Sequence, residues 1–364
     1  MSEWKEYKLG EIVTFGNGKE RPKDKGPIPV YGGNGILDYT DKHNYDGETI
    51  IIGRVGAYCG AVYYTNNPIW VSDNALAAKP KEGNHAKFIY YYLQNLNLND
   101  FAEGSSHPLV TQRLLNSIDV RIPNNIDEQH RIASILSSLD DKIDLLNREN
   151  ATLEAMAETL FRQWFIEEAK EDWEDVPLGD VIKTTSGGTP SRKHTEYYNN
   201  GTINWVKSKE LQGTFISSTE ELITENAISN SSAKMLPMKS VLIAMYGATV
   251  GEYGILSKPM TCNQAVCALI PNDNYPYTYL FVWAALMKED FINLASGAAQ
   301  QNISQDLIKQ QMVSSDINLI KLYDEQVRAY FEKMECNQKQ IILLSKQRDI
   351  LLPILMSNTN KLSI

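Results

Sequence analysis

The sequence predicts an α+β protein in which two pseudo-repeated mixed α/β domains are separated by two long helices that pair as a coiled coil. Three observations carry that prediction. No glycine or proline occurs between Pro123 and Pro177, so nothing breaks a helix over that stretch. Within it Ile132, Leu136, Leu139, Ile143, Leu146, Asn150, Leu153, Ala157, Leu160 and Trp164 recur at spacings of four and three, a heptad seam that asks for a partner helix. Finally, the helix start Asp127-Glu128-Gln129-His130-Arg131 returns as Asp324-Glu325-Gln326-Val327-Arg328, ahead of a second run without glycine or proline as far as Pro353.

The chain therefore divides into a first domain (1–125), a spacer helix (126–170), a second domain (171–321) and a second spacer helix (322–358). The first helix would span roughly 65 Å at 1.5 Å per residue, about twice the width of a small domain. Asn150 is the one polar member of its seam, a residue type that fixes register at some cost in stability. The second seam is rougher. Val327, Phe331, Met334 and Ile341 are apolar, while Gln338, Ser345 and Arg348 take core-like positions. Each helix is the natural partner of the other.

The two domains repeat in order. Trp4 and Leu9-Gly10-Glu11-Ile12 open the first; Trp173 and Leu178-Gly179-Asp180-Val181 open the second, at an offset of 169. A polar, turn-rich loop follows in each, Gly16-Asn17-Gly18-Lys19-Glu20-Arg21-Pro22 and Gly187-Gly188-Thr189-Pro190-Ser191-Arg192-Lys193, both rich in residues that favour turns. Strand-like runs at 49–54 and 241–246 lead into Gly56-Ala57-Tyr58-Cys59-Gly60 and Gly247-Ala248-Thr249-Val250-Gly251, which read as strands ending in tight turns. Further strands are expected at Asn74-Ala75-Leu76-Ala77 and Gln264-Ala265-Val266-Cys267, and aromatic-rich helices at 86–98 and 276–286. Gly104 through Leu115 and Gly297 through Ile308 close the repeats.

Charge is unevenly spread. Residues 1–126 and 176–322 each carry a net −1, residues 127–175 carry −9 and residues 323–364 carry +1. The acidity belongs to the first long helix, whose solvated face explains it, and the near-neutral domains leave room for local basic faces. The longest apolar run, 280–287, is too short for a membrane span of about 20 residues, and the start does not read as a signal peptide. Cys59, Cys262, Cys267 and Cys336 show no CxxC spacing, as expected of reduced thiols in a cytoplasmic protein.

No catalytic constellation is legible. Gly16-Asn17-Gly18 and Gly32-Gly33-Asn34-Gly35 lack the strand and helix context of a dinucleotide or S-adenosylmethionine cradle. Asn67-Pro68-Ile69-Trp70 only faintly matches the methyltransferase Asn-Pro-Pro-aromatic tetrad, and a turn before a strand explains it. There is no phosphate loop. His43, His85, His107, His130 and His194 have no metal spacing; His130 is expected to be exposed, and Cys262 and Cys267 read as core strand residues. The duplicated loops instead offer Lys, Arg, Asn, Gln, Ser, Thr and Tyr, the side chains that meet phosphates and base edges.

On Trp4 with Leu9-Gly10-Glu11, Gly188-Thr189-Pro190-Ser191, Ile303-Ser304-Gln305 and the two Asp-Glu-Gln-x-Arg segments, the whole chain resembles the specificity subunits of type I restriction–modification systems. The resemblance implies two target-recognition domains held apart by two antiparallel coiled-coil helices, each domain reading half of a split site in double-stranded DNA. It implies a subunit without catalysis or cofactor of its own. S-adenosylmethionine is expected only in the two partner modification subunits, which methylate adenine; restriction/translocase subunits cut unmethylated DNA. No membrane partner is expected. The first domain departs from the pattern: Thr111-Gln112-Arg113 follows His107-Pro108, and its glycine-rich loop lacks Gly-Thr-Pro-Ser. The residues expected to meet DNA are Lys19, Arg21, Asn34, Arg54 and Arg113 in the first domain, and Thr189, Ser191, Arg192, Lys207, Lys209, Tyr246 and Gln305 in the second. Two alternatives stay open on the residues alone, a coiled-coil scaffold with two protein- or peptide-binding modules and a self-sufficient methyltransferase of unusual motif.

Overall fold

The computed structural model describes residues 3–104, 108–169, 174–296 and 301–357. His107, Trp173 and Gly297, and the expected helix ends at 170 and 358, lie outside them. The described residues form two compact units, one drawn from 1–143 and 343–364 and the other from 144–342. Both boundaries fall inside long helices rather than at their ends.

In the first unit a four-stranded antiparallel sheet has the order Val13–Asn17, Ala75–Pro80, Thr49–Gly53, Val62–Thr65. Strand Thr49–Gly53 is buried throughout because both its faces are covered. Ile50 and Ile52 join a core with Phe88, Tyr91 and Leu136, while Ile51 packs with Ile69, Val71 and Ala77. A smaller sheet pairs Ile28–Gly32 with Gly35–Thr40 and, in parallel, with Trp70–Val71. Trp4–Lys8 pairs with Asp119–Pro123, closing the domain's two ends on each other.

The second unit repeats this plan. A five-stranded sheet has the order Lys183–Ser186, Val266–Ile270, Val241–Ala244, Tyr253–Leu256, Thr214–Ile216. Val241 and Ile243 face one core and Leu242 and Ala244 another, as in the first unit. Ile203–Val206 lies between Leu222–Ile223 and Thr261–Cys262, and Asp175–Pro177 pairs with Met312–Ser314. Cys262 and Cys267 are core residues, as expected, and burial pushes both thiols up to about 12.

The first long helix is Ile126–Arg162, continued by one π-helical stretch, Gln163–Glu167. All ten expected seam positions on it are buried or half-buried. In the second unit its partner is the opening of the helix Ile317–Met356. Tyr323 donates to the Ala157 carbonyl at 2.9 Å and Asn337 to Asn150 at 2.9 Å, a descending register that is antiparallel. Phe161 and Phe165 pack against Tyr279 and Tyr323, mostly edge to face, at centroid distances of 5.1–5.6 Å. In the first unit the other end of Ile317–Met356 does the same work. Arg348 pairs with Asp140 at 3.0 Å, and Leu355 and Met356 join the core of Leu9, Ile132 and Leu136.

Several boundaries differ from the expected ones. The second long helix starts at Ile317 and passes through Pro353 in its final turn, where the proline gives up its bond to the carbonyl four residues back but only three helical residues follow it. Asp324-Glu325-Gln326 therefore sits two turns into its helix, whereas Asp127-Glu128-Gln129 sits in a first turn. Their roles differ accordingly. Gln129 is buried, accepts from the His85 backbone N–H and donates to the Pro123 carbonyl. In the second copy the buried residue is Asp324, which accepts from Thr278 at 2.6 Å and is paired with Arg328. The aromatic helix of the first domain stops at Asn95, ahead of Asn97 at φ 50°; Arg54 and Tyr246 fall just beyond the ends of their expected strands, and Asn74 and Gln264 lie in turns just before theirs.

Candidate nucleic-acid interface

The turns of the first unit gather at one end of its sheet because backbone bonds tie them strand to strand. Gly18 N–H donates to Ala75 O, Lys19 N–H to Val71 O, and Arg54 N–H to Asn74 O at 3.0–3.2 Å, while the Arg54 carbonyl accepts from Val110 N–H at 2.9 Å. The Gly33-Asn34 turn abuts Asn74 and Val55, and Gln112 donates to Asn17 at 2.8 Å. Thus Lys19, Asn34 and Arg54 come together with Asn17, Asn74 and Gln112. Lys19 and Asn34 are exposed; Arg54 is half-buried, with its Nε buried and without a partner among the described residues. Arg113 is 90% exposed and 4.0 Å from Glu103. Arg21 stands elsewhere, in the loop ahead of strand Ile28–Gly32, where it and Lys25 grip Asp38 of the neighbouring hairpin strand Gly35–Thr40. Hydrogen bonds from Lys25, from the Tyr39 backbone and from Arg21 hold the Asp38 carboxyl well below the usual carboxylate range.

The second unit has the same arrangement of turns. Gly188 N–H donates to Cys262 O, Met245 N–H to Ala265 O and Ile303 N–H to Met245 O at 2.8–2.9 Å. Thr189 donates its hydroxyl to Gln264, Tyr246 lies beside Asn302 in a β-bridge, and Gln305 donates to Thr184 at 2.8 Å. Tyr246 is 42% exposed. Gln305 is half-buried, so its amide is already committed to the strand Lys183–Ser186. Ser191 is exposed and accepts only a long 3.4 Å bond from Lys193 N–H.

The remaining basic candidates form a distinct cluster. Buried Trp205 donates its indole N–H to the Gly188 carbonyl, fixing the glycine-rich loop to the strand Ile203–Val206. The Arg192 guanidinium lies 4.2 Å from the Tyr198 ring centre and 5.5 Å from that of Trp205. Arg192 is bound to Glu221 at 2.6 Å, Lys207 to Glu221 at 2.7 Å and Lys209 to Glu220 at 2.6 Å. Glu221 is held below its ordinary range by the hydrogen bonds from Lys207 and then Arg192, and Glu220 by that from Lys209. Sequence reasoning missed Glu220 and Glu221 altogether. It also placed Asn74 and Gln264 in strands; the signal that could have found them is their matching position just before each buried strand.

Among the described residues there is no group of His, Cys, Asp and Glu able to hold a metal, and no helix is long and apolar enough to cross a membrane. The surface offers hydrogen-bonding turns and cations, the chemistry of phosphate and base-edge contact.

A family model described as the type I restriction modification DNA specificity domain matches the chain twice, over residues 1–155 and 170–327. The MjaIX specificity subunit of a type I restriction enzyme, from Methanocaldococcus jannaschii, is 26% identical over 319 residues, 81% of this chain and 73% of that protein. The EcoR124I/EcoR124II specificity subunit of Escherichia coli is 27% identical over 218 residues, 57% of this chain and 53% of that one. The crystal structure of a type I restriction–modification S subunit from M. genitalium has the same fold, with a TM-score of 0.64 at 18% identity over 98% of this chain and 97% of that chain. With the family model covering both halves, the chain belongs to the type I restriction modification DNA specificity domain family.

Proposed function

We propose that this chain is the sequence-reading subunit of a type I restriction–modification assembly, without catalysis of its own. Each unit takes one half of a bipartite site in duplex DNA. The chain recruits two modification subunits, which hold S-adenosylmethionine and methylate adenine, and restriction/translocase subunits that cut unmethylated DNA. It works in the cytoplasm. The observation that supports this most is the double family match over two halves that each gather polar turns at a sheet end. Lys19, Asn34, Arg54 and Arg113 in one unit, and Thr189, Ser191, Arg192, Lys207, Lys209, Tyr246 and Gln305 in the other, supply the contacts to phosphates and base edges; Arg21 supports from the loop beside the neighbouring hairpin. The two halves diverge in these loops, as two different half-sites require.

The test is to map methylated adenines in host DNA with and without the gene. Loss of methylation at one split motif supports the assignment; an unchanged methylome overturns it. The purified chain alone should bind duplex DNA with an affinity that falls steeply with salt. Methyl transfer by that chain alone would overturn the non-catalytic reading.

A further inference from the structure

We propose that Glu220 and Glu221, with Asp38 in the first unit, act as charge guards: they pre-neutralise cations on and beside the DNA-reading surface and so hold down sequence-independent binding. The inference rests on the DNA-reading assignment above and names residues that tune it.

Sequence-independent affinity comes from cations that neutralise phosphates and release the counterions condensed on DNA. A lysine or arginine already paired with a carboxylate must give up that partner to meet a phosphate, so its net gain is smaller. Two carboxylates in the second unit serve three cations, Arg192, Lys207 and Lys209, at 2.6–2.7 Å. In the first unit Asp38 serves Arg21 and Lys25. The same device thus appears in both halves, on different elements and with different residues. Folding gives little reason for it at Arg192, Lys209 and Glu220, whose side chains are 57–58% exposed, because exposed ion pairs contribute little to stability. Nor does it merely position the side chains, since Arg192 is already stacked on Tyr198 and Trp205. Lys19 and Arg54 have no ion pair among the described residues. They stand with Asn34, Asn74 and Gln112 at the gathered turns. The guarded cations therefore add their charge only once other contacts have docked the duplex. Specificity gained by penalising the wrong partner takes this form.

The experiment titrates the full chain with a labelled duplex of random sequence over a series of KCl concentrations. The Glu220→Gln/Glu221→Gln variant keeps hydrogen-bond acceptors but removes two charges. Its plot of log affinity against log salt should be steeper by up to about 1.8, and its low-salt binding roughly tenfold tighter. Asp38→Asn should act in the same direction by about half that slope change, and it decides the matter if the double variant does not fold. Arg192→Ala/Lys207→Ala is the control and should flatten the slope. If the control flattens the slope while the carboxylate variants leave binding unchanged or weaken it, the guard is overturned and the DNA surface stands. If none of the variants alters binding, the surface assignment fails and takes the guard with it.

Discussion

Asn337, fully buried on the second long helix, donates its side-chain N–H to Asn150 Oδ1 on the first helix at 2.9 Å. Its amide also donates to Glu149 at 2.9 Å, and its own Oδ1 is buried without a partner among the described residues. An asparagine facing an asparagine in an apolar seam favours one register, because any slip leaves two polar groups unpaired.

Replacing one member should therefore cost more than replacing both. Asn337→Leu strands Asn150 and should lose about 1–3 kcal/mol. Asn150→Leu/Asn337→Leu should regain that loss, with a less uniquely defined pairing. Urea unfolding compares the two; a double variant no more stable than the single one would remove the register role.

Glu154 gives the helix pair a pH dependence. It accepts from Tyr253 at 3.0 Å, and burial raises its carboxyl above 4.5, only partly offset by that hydrogen bond. Its folded value exceeds its unfolded value, so the native state binds the proton more tightly. Stability from this group is present below the unfolded value and is lost as pH rises through the folded one. Glu154→Gln should therefore be more stable than the parent at neutral pH, with the gap closing as the pH falls to about 4, where an ordinary exposed glutamate takes up its proton. Urea midpoints at several pH values check this, and a gap independent of pH would refute it.

Gly18 and Gly187 occupy the same place in the repeat. A Cβ on Gly18 would lie 1.7 Å from the Ser72 carbonyl oxygen, and one on Gly187 would lie 2.0 Å from that of Cys262. Neither backbone oxygen can move without disturbing a strand. Gly18→Ala and Gly187→Ala should each displace the glycine-rich loop of their own unit and cost about 1–3 kcal/mol. DNA affinity should fall while helical circular dichroism is retained. Parent-like affinity in both variants would place the loops outside the interface.

The end of the second long helix completes the first unit. Leu355 is 7% exposed within the core formed by Leu9, Phe88 and Leu136. Leu355→Ala should cost about 2–5 kcal/mol. Hydrogen exchange should quicken in the sheet of the first unit, and unchanged protection there would show that the packing carries no energy.

The heptad seam, the duplication and the buried strands were legible in the sequence because each rests on local periodicity. A run of four and three spacings can bury one face of only one kind of element, and Thr49-Ile50-Ile51-Ile52 or Val241-Leu242-Ile243-Ala244 needs cover on both faces. The ten seam residues of the first helix are accordingly buried or half-buried. Helix ends were less legible. The expected start at 322 overlooked residues 317–321, where Ile320 joins the core of the second unit, and gave no sign that Tyr323 reaches Ala157, more than 160 positions earlier in the chain. Gln338 is half-buried at its expected core-like position, but the residue that meets Asn150 is its neighbour Asn337, which the second seam did not include, because register depends on the facing helix.

The candidate surface divides in the same way. Residue type and repetition marked Lys19, Arg54, Arg192 and Lys207 as capable of meeting DNA, since that chemistry belongs to each side chain alone. Only the tertiary structure decided that Arg192 and Lys207 share Glu221, that Thr189 is held by Gln264, and that Arg21 is drawn to Asp38. A side chain's charge is written at its own position, but whether that charge is free depends on what the fold brings within about 4 Å of it.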